Sequence, residues 1–175
     1  MIKAGFHSRF DKLMLLHVYA SRNDAEEEVK GKFYEKLQTI VKETPRHDVL
    51  VITGDMNAKL GSDVEGYERL IGRHGVGSRN ENGERLCDFC GMNDLVITGT
   101  LFPHKEIDKQ MWTSSDGRTR NKIDHILIIR KVRTSILDTR VPRSADFARD
   151  HNLFRTKVKL KLKAAPQKTA IYLER

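Results

Sequence analysis

Asp55 and Asn57 stand two residues apart in Gly54-Asp55-Met56-Asn57, directly after the apolar run Val49-Leu50-Val51-Ile52. A carboxylate accepts hydrogen bonds and binds hard cations, while a carboxamide both donates and accepts. On an extended strand the two side chains would point to the same side. The competing reading is an ordinary Asx-type turn, since Gly, Asp and Asn are all turn residues. Asp124 interrupts Ile123-Asp124-His125-Ile126, where an apolar residue would be cheaper. A buried carboxylate needs a partner. Asp150-His151 offers an imidazole, whose orientation such a pair would fix and whose pKa it would raise. Tyr19, at the end of Leu13-Met14-Leu15-Leu16-His17-Val18, and Trp112 fit either a substrate contact or core packing. Each residue has a structural explanation when taken singly: Asp124 facing solvent on an edge strand, His151 in a turn. As a set they put polar chemistry at strand ends, the rim where open α/β sheets place ligands.

The elements that must carry these residues follow from periodicity. Phe10 to Tyr19 reads as a strand. Ser21-Arg22-Asn23-Asp24 supplies N-cap residues for a helix with Glu26, Glu27 and Glu28 in its first turn, where they favour the helix dipole. Val29, Phe33, Leu37, Ile40 and Val41 form its apolar stripe, and Pro45 stops it. The Val49 run is then a buried strand, so the first third is a strand–helix–strand crossover of an α/β layer. A long glycine-containing loop from Gly61 to Asn82 lacks the pattern of a nucleotide-phosphate loop. Gly83 to Cys90 reads as a short helix closed by Gly91, with Leu86, Phe89 and Cys90 buried. Strands follow at Leu95–Thr100, Met111–Thr113, Lys122–Arg130, Ile136–Val141 and Leu153–Leu162, with Asp116-Gly117 as a hairpin turn. This second part reads as antiparallel.

The totals suit one soluble domain. The chain has 175 residues, 38% hydrophobic and 32% charged, enough for a core and too apolar for a disordered chain. No apolar stretch approaches the ~20 residues of a membrane span, and the amino terminus has no export signal, so neither a membrane partner nor secretion is expected. Net charge is +8, and Asp116 to Lys163 holds 14 Lys+Arg against 5 Asp+Glu, a balance of +9 that leaves −1 elsewhere. Such a basic third is compatible with a polyanion. The alternation Lys157-Val158-Lys159-Leu160-Lys161-Leu162-Lys163 fits a solubilised sheet edge better than a binding patch. Cys87 and Cys90 have C-x-x-C spacing, but no second ligand pair follows. Three apart on a helix, they pack as small hydrophobes.

The ordered set Tyr19, Gly54-Asp55-Met56-Asn57, Trp112, Ile123-Asp124-His125 and Asp150-His151 resembles the endonuclease/exonuclease/phosphatase superfamily. With Arg79-Asn80-Glu81-Asn82-Gly83-Glu84-Arg85-Leu86 and Asn121-Lys122-Ile123-Asp124-His125, it looks like the apurinic-endonuclease-like branch of RTE-clade non-LTR retrotransposons. The resemblance runs from about Phe6 to Lys163. It implies an α/β fold, the C-terminal portion of a four-layer DNase I-like sandwich with mixed sheets and flanking helices. Residues 1–163 would be the domain and 164–175 a linker-like tail. The implied activity is metal-dependent cleavage of DNA phosphodiesters in the nucleus. Asp55 would activate water, Asn57 hold the phosphate, and Asp124 with His151 stabilise its charge. Tyr19 and Trp112 would contact substrate, and Asp150 would lie near Mg²⁺ (or Mn²⁺).

Departures from the family pattern set further expectations. The family's first half, with its Asn and metal-binding Glu, has no counterpart here, and Asp11 is the sole carboxylate before Tyr19. Arg149 stands where the family has Ser, and Ser21 where it has Pro. A principal metal ligand is therefore missing, which points to impaired cleavage. The alternative is an inactive retroelement-derived remnant serving as a binding or interaction module. A sandwich short of strands should also leave a sheet uncovered and prone to self-association.

Overall fold

The computed structural model describes residues 1–7, 12–104, 123–141 and 154–159, and the backbone of 112–113 and 120–121. A five-stranded mixed sheet organises the chain in the order β1-β2-β3-β7-β4. Its strands are β1 (Ile2–His7), β2 (Lys12–Tyr19), β3 (Val49–Asp55), β4 (Leu95–Ile97) and β7 (Asp124–Ile129). β2 and β3 run parallel, and the helix α1 (Glu27–Glu43) connects them, so the expected crossover unit is present. β1–β2, β3–β7 and β4–β7 are antiparallel. Two short antiparallel pairs complete the described strands: β5 (Trp112–Thr113) with β6 (Arg120–Asn121), and β8 (Ile136–Arg140) with β9 (Arg155–Val158).

One sheet face carries the core. Leu16 and Val18 of β2, Leu50 and Ile52 of β3 and Leu127 of β7 pack with Leu37 of α1 and with Leu86, Phe89 and Cys90 of the second helix, α2 (Glu81–Met92). Alternation then sends Leu13, Leu15, Val51 and Ile126 to the opposite face, where they are only half-buried. On the edge strand β1, Ile2 is 70% and Phe6 54% exposed. Among the described residues that face is open toward β1 and β2 but covered elsewhere, where Val49, Ile128 and Val96 are buried.

Several local expectations need correcting. The first helix begins at Glu27 behind Glu26, which makes no side-chain cap bond. Asn23 does not cap it, because its Oδ1 accepts the Asn82 amide instead. Val29 faces solvent, leaving Leu37 as the stripe's fully buried member. Gly91 lies inside α2, which continues to Met92 with Asn93 as C-cap. A tight 3₁₀ turn at Thr98–Thr100 shortens the Leu95 strand, with Thr100 Oγ1 donating to the Ile97 carbonyl. β1 had no counterpart in the sequence reading. The Asp116-Gly117 turn, the ends of the Leu153–Leu162 strand and the 164–175 tail lie outside the described residues. Lys157 is exposed on β9, as a sheet edge requires.

Candidate active site

Strand register assembles the site. β3 does not stop before Gly54 but runs through Asp55, pairing Asp55 with Tyr19 on one side and Asp124 on the other. Directly paired residues project to the same face of a sheet, so Tyr19, Asp55 and Asp124 form one row at one end. Gly54 permits this approach: a Cβ there would stand 1.8 Å from the Val18 carbonyl oxygen. The Ala20 amide extends the pairing by donating to the Asp55 carbonyl at 2.8 Å, and the Met56 amide donates to Ile123 O at 3.0 Å.

Asp55 is nearly buried, Asp124 half-buried and Tyr19 70% exposed. The row therefore grades from a held carboxylate to an open phenol. Asp55 Oδ1 accepts the Asn57 amide at 2.8 Å. Asn57 does not continue the strand, because its φ of 47° is left-handed and turns it out of the pleat. Its Nδ2 donates to the Ala20 carbonyl at 3.0 Å. The stretch is therefore an Asx-type turn at the strand end, and it is this turn, not strand alternation, that sets Asn57 beside Asp55. His125, next to Asp124, points to the opposite face and is fully buried, its Nε2 2.8 Å from the Ala58 carbonyl oxygen.

Residues of the Arg79–Leu86 motif hold this loop. Asn80 caps α2, its Oδ1 accepting the Gly83 amide at 2.8 Å and the Lys59 amide at 2.8 Å. The Arg79 guanidinium donates to the carbonyls of Leu60, at 3.1 Å, and Asp63 and lies 4.6 Å from the Tyr67 ring centre. Asn82 is 2% exposed and donates to Ser21 O at 3.0 Å. Below them, buried Lys30 of α1 pairs with Glu81 at 3.1 Å, and Arg85 joins Glu81 and Glu27. The Arg85 and Lys30 donors hold the Glu81 carboxyl below its usual range. Sequence reasoning treated this motif as a marker of resemblance and missed its structural role. The available signal was the Asn at a helix N-cap position.

His151 and Asp150 lie outside the described residues, as does the Trp112 side chain. Among the described residues no three His, Cys, Asp or Glu side chains gather. Asp55 and Asp124 supply two carboxylates. That set suits a cation whose shell is completed by waters and phosphate oxygens, as with Mg²⁺, and falls short of a dedicated cage. Cys87 and Cys90 are free and buried; burial pushes Cys87 up to about 11 and Cys90 well above its usual range, so neither is poised as a thiolate.

The same architecture occurs in solved nucleases. The endonuclease domain of TRAS1, a telomere-specific non-LTR retrotransposon, matches with TM-score 0.63 and 20% identity over 91% of this chain and 61% of its own. The Xenopus laevis APE2 catalytic domain matches with TM-score 0.59 and 23% identity, over 90% of this chain and 52% of its own. The chain has the endonuclease/exonuclease/phosphatase fold. A third structure of this fold, the Neisseria 3′ phosphatase NExo bound to a product DNA hairpin, matches with TM-score 0.62 and 16% identity over 90% and 65% of the two chains. Among curated proteins, craniofacial development protein 2 of Bos taurus is 42% identical over 170 residues, and that of Tragulus javanicus likewise. These matches cover 97% of this chain but only 28% and 29% of the relatives. No family model matches.

Proposed function

We propose that this chain carries part of a phosphodiester-cleaving site acting on DNA, with weak cleavage by the chain alone. The row Tyr19–Asp55–Asp124 at one sheet end carries the reading; the nuclease fold and the DNA in the NExo structure support it. Asp55, fixed by the Asn57 amide, activates the attacking water. Asn57 presents its carboxamide to the phosphate, and Tyr19 contacts a phosphate oxygen. Asp124 would partner His151, which would stabilise the developing negative charge. Trp112 contacts the substrate. Mg²⁺ or Mn²⁺ would lie near Asp150, and when bound it supplies charge neutralisation at the phosphate. A DNA substrate goes with residence in the nucleus, which a fluorescent fusion would show.

The test is supercoiled plasmid with Mg²⁺ and the purified chain, beside Asp55→Ala and His151→Ala. The proposal expects slow nicking by the parent and loss of at least tenfold in each variant. Equal traces in all three would be contamination and would end the enzymatic reading for this chain.

A second reading, an inactive interaction module, is favoured by β1. Its exposed Ile2 and Phe6 lie on a sheet edge, a template for pairing with another chain. Pairing of two copies through β1 would give a concentration-dependent dimer in sedimentation that Ile2→Lys/Phe6→Lys abolishes. A monomer at all concentrations would refute it.

A further inference from the structure

We propose that Asn80 and Asn82 are positioning residues for the site: their carboxamides jointly grip the main-chain carbonyl of Asn57 and so aim the Asp55–Asn57 loop. The proposal rests on reading Asp55 and Asn57 as the phosphate-facing pair.

Asn57 occupies the left-handed region at φ 47°, which costs a non-glycine residue energy and persists where the surroundings over-determine it. Here they do. Its amide donates to Asp55 Oδ1 and its Nδ2 to Ala20 O. Its carbonyl accepts two side-chain donors, Asn80 Nδ2 at 3.2 Å and Asn82 Nδ2 at 3.3 Å. Both come from the start of α2, more than twenty residues further along the chain.

The choice of carboxamide is informative. An N-cap at position 80 needs only a side-chain acceptor, and Asp serves as well as Asn. The acceptor oxygen of Asn80 already takes the Gly83 and Lys59 amides. Its Nδ2 adds nothing to the cap, and it is spent on Asn57. Asn82 extends the grip to the segment after Tyr19: its Nδ2 also donates to Ser21 O, and its amide donates to Asn23 Oδ1. One turn of α2 therefore fixes both the loop leaving β3 and the loop leaving β2. These are the segments that carry Asn57 and follow Tyr19.

Replacing Asn80 with Asp separates clamp from cap. Asn80→Asp keeps the acceptor and removes the donor to Asn57, Asn82→Asp sets a carboxylate against two carbonyls, and Asn80→Ala removes cap and clamp together. Amide hydrogen exchange on the full chain, with nitrogen-15 spectra of the Asn57 main-chain and side-chain groups, reads the result. Asn80→Asp should lower protection of the Asn57 amide about fivefold, the equivalent of one net hydrogen bond, and shift the Asn57 side-chain signals. The Glu84 and Leu86 amides of α2 should keep their protection. Asn80→Ala should weaken both regions. Unchanged Asn57 exchange and spectra in both Asp variants would overturn the proposal, as would loss of protection in Asn80→Asp spread equally over α2. Plasmid nicking by the same proteins separates this from the functional reading. A parent that cuts no DNA sinks the nuclease, while the exchange data still decide the clamp.

Discussion

Gly83→Ala should reverse the usual sign of a helical glycine substitution. In a helix interior, Ala for Gly stabilises by about 0.5–1 kcal/mol. At Gly83 an added Cβ would stand 2.0 Å from the Lys59 carbonyl oxygen, and backbone must open by at least about 1 Å to admit it. The backbone is not free to open. Lys59 O accepts the Asn80 amide at 3.1 Å, and the Lys59 amide donates to Asn80 Oδ1. Overpacking against fixed backbone lies in the upper part of the usual range of about 1–3 kcal/mol, so after the helix gain the net change is a loss of about 1–2 kcal/mol. At roughly 2–4 °C per kcal/mol for a domain of this size, Tm falls by about 2–8 °C. Gly31→Ala in α1 is the control, since nothing lies within 4 Å of its Cβ position, and there Tm should rise by about 1–4 °C. Thermal unfolding followed by circular dichroism measures both. A Gly83→Ala protein as stable as the parent would refute the close helix–loop contact on which the site's geometry depends.

Other outcomes follow from the ion network, the thiols and the core. Glu81→Gln should lower Tm at neutral pH by stripping the partner from buried Lys30, and Lys30→Met added to it should recover most of the loss. The folded-state carboxyl of Glu81 is depressed, so its contribution is full above the unfolded carboxylate pKa and disappears as pH falls through the folded value. Parent and Glu81→Gln melting curves should therefore converge in acid. Cys87, raised from 9.0 to about 11, should hold about a hundredfold less thiolate than an ordinary cysteine near pH 8, and native-state alkylation should be slower by at least that factor. For a thiol the sign is opposite to a carboxylate: the stabilisation is present below 9 and lost as pH rises through about 11. Leu16→Ala, at a fully buried position facing both helices, should cost about 2–5 kcal/mol in denaturant unfolding.

Much of this architecture was legible in the sequence because its signals are local. The helical stripe between two apolar runs specified the β2–α1–β3 crossover, and Pro45 marked its boundary. Asp55 and Asp124 could be singled out because carboxylates next to apolar strand residues need a reason. Their alignment in one row with Tyr19 could not be read, since register is set by pairing between segments far apart in the chain. β1 does alternate, with Ile2, Ala4 and Phe6 on one face and Lys3, Gly5 and His7 on the other, but two of its six residues are the weak strand formers Ala and Gly; its pairing with β2 makes it a strand. Spacing alone could not choose between a strand continuation and an Asx-type turn at Asn57, because it does not report a left-handed φ. Asn23 looked like a cap because capping chemistry is the same whether the amide it binds is three residues away or, as here, 59. The roles assigned to His151, Asp150 and Trp112 rest on the sequence resemblance.

The most direct test of the central claim is a residue-resolved footprint of a short DNA duplex on the nitrogen-15-labelled chain at moderate salt. The account predicts amide shifts concentrated at Tyr19, Asp55, Asn57 and Asp124, the far end of β2, β3 and the start of β7. Shifts confined to the lysine-bearing strand β9, with that row silent, would contradict it and reduce DNA binding to non-specific attraction by surface charge.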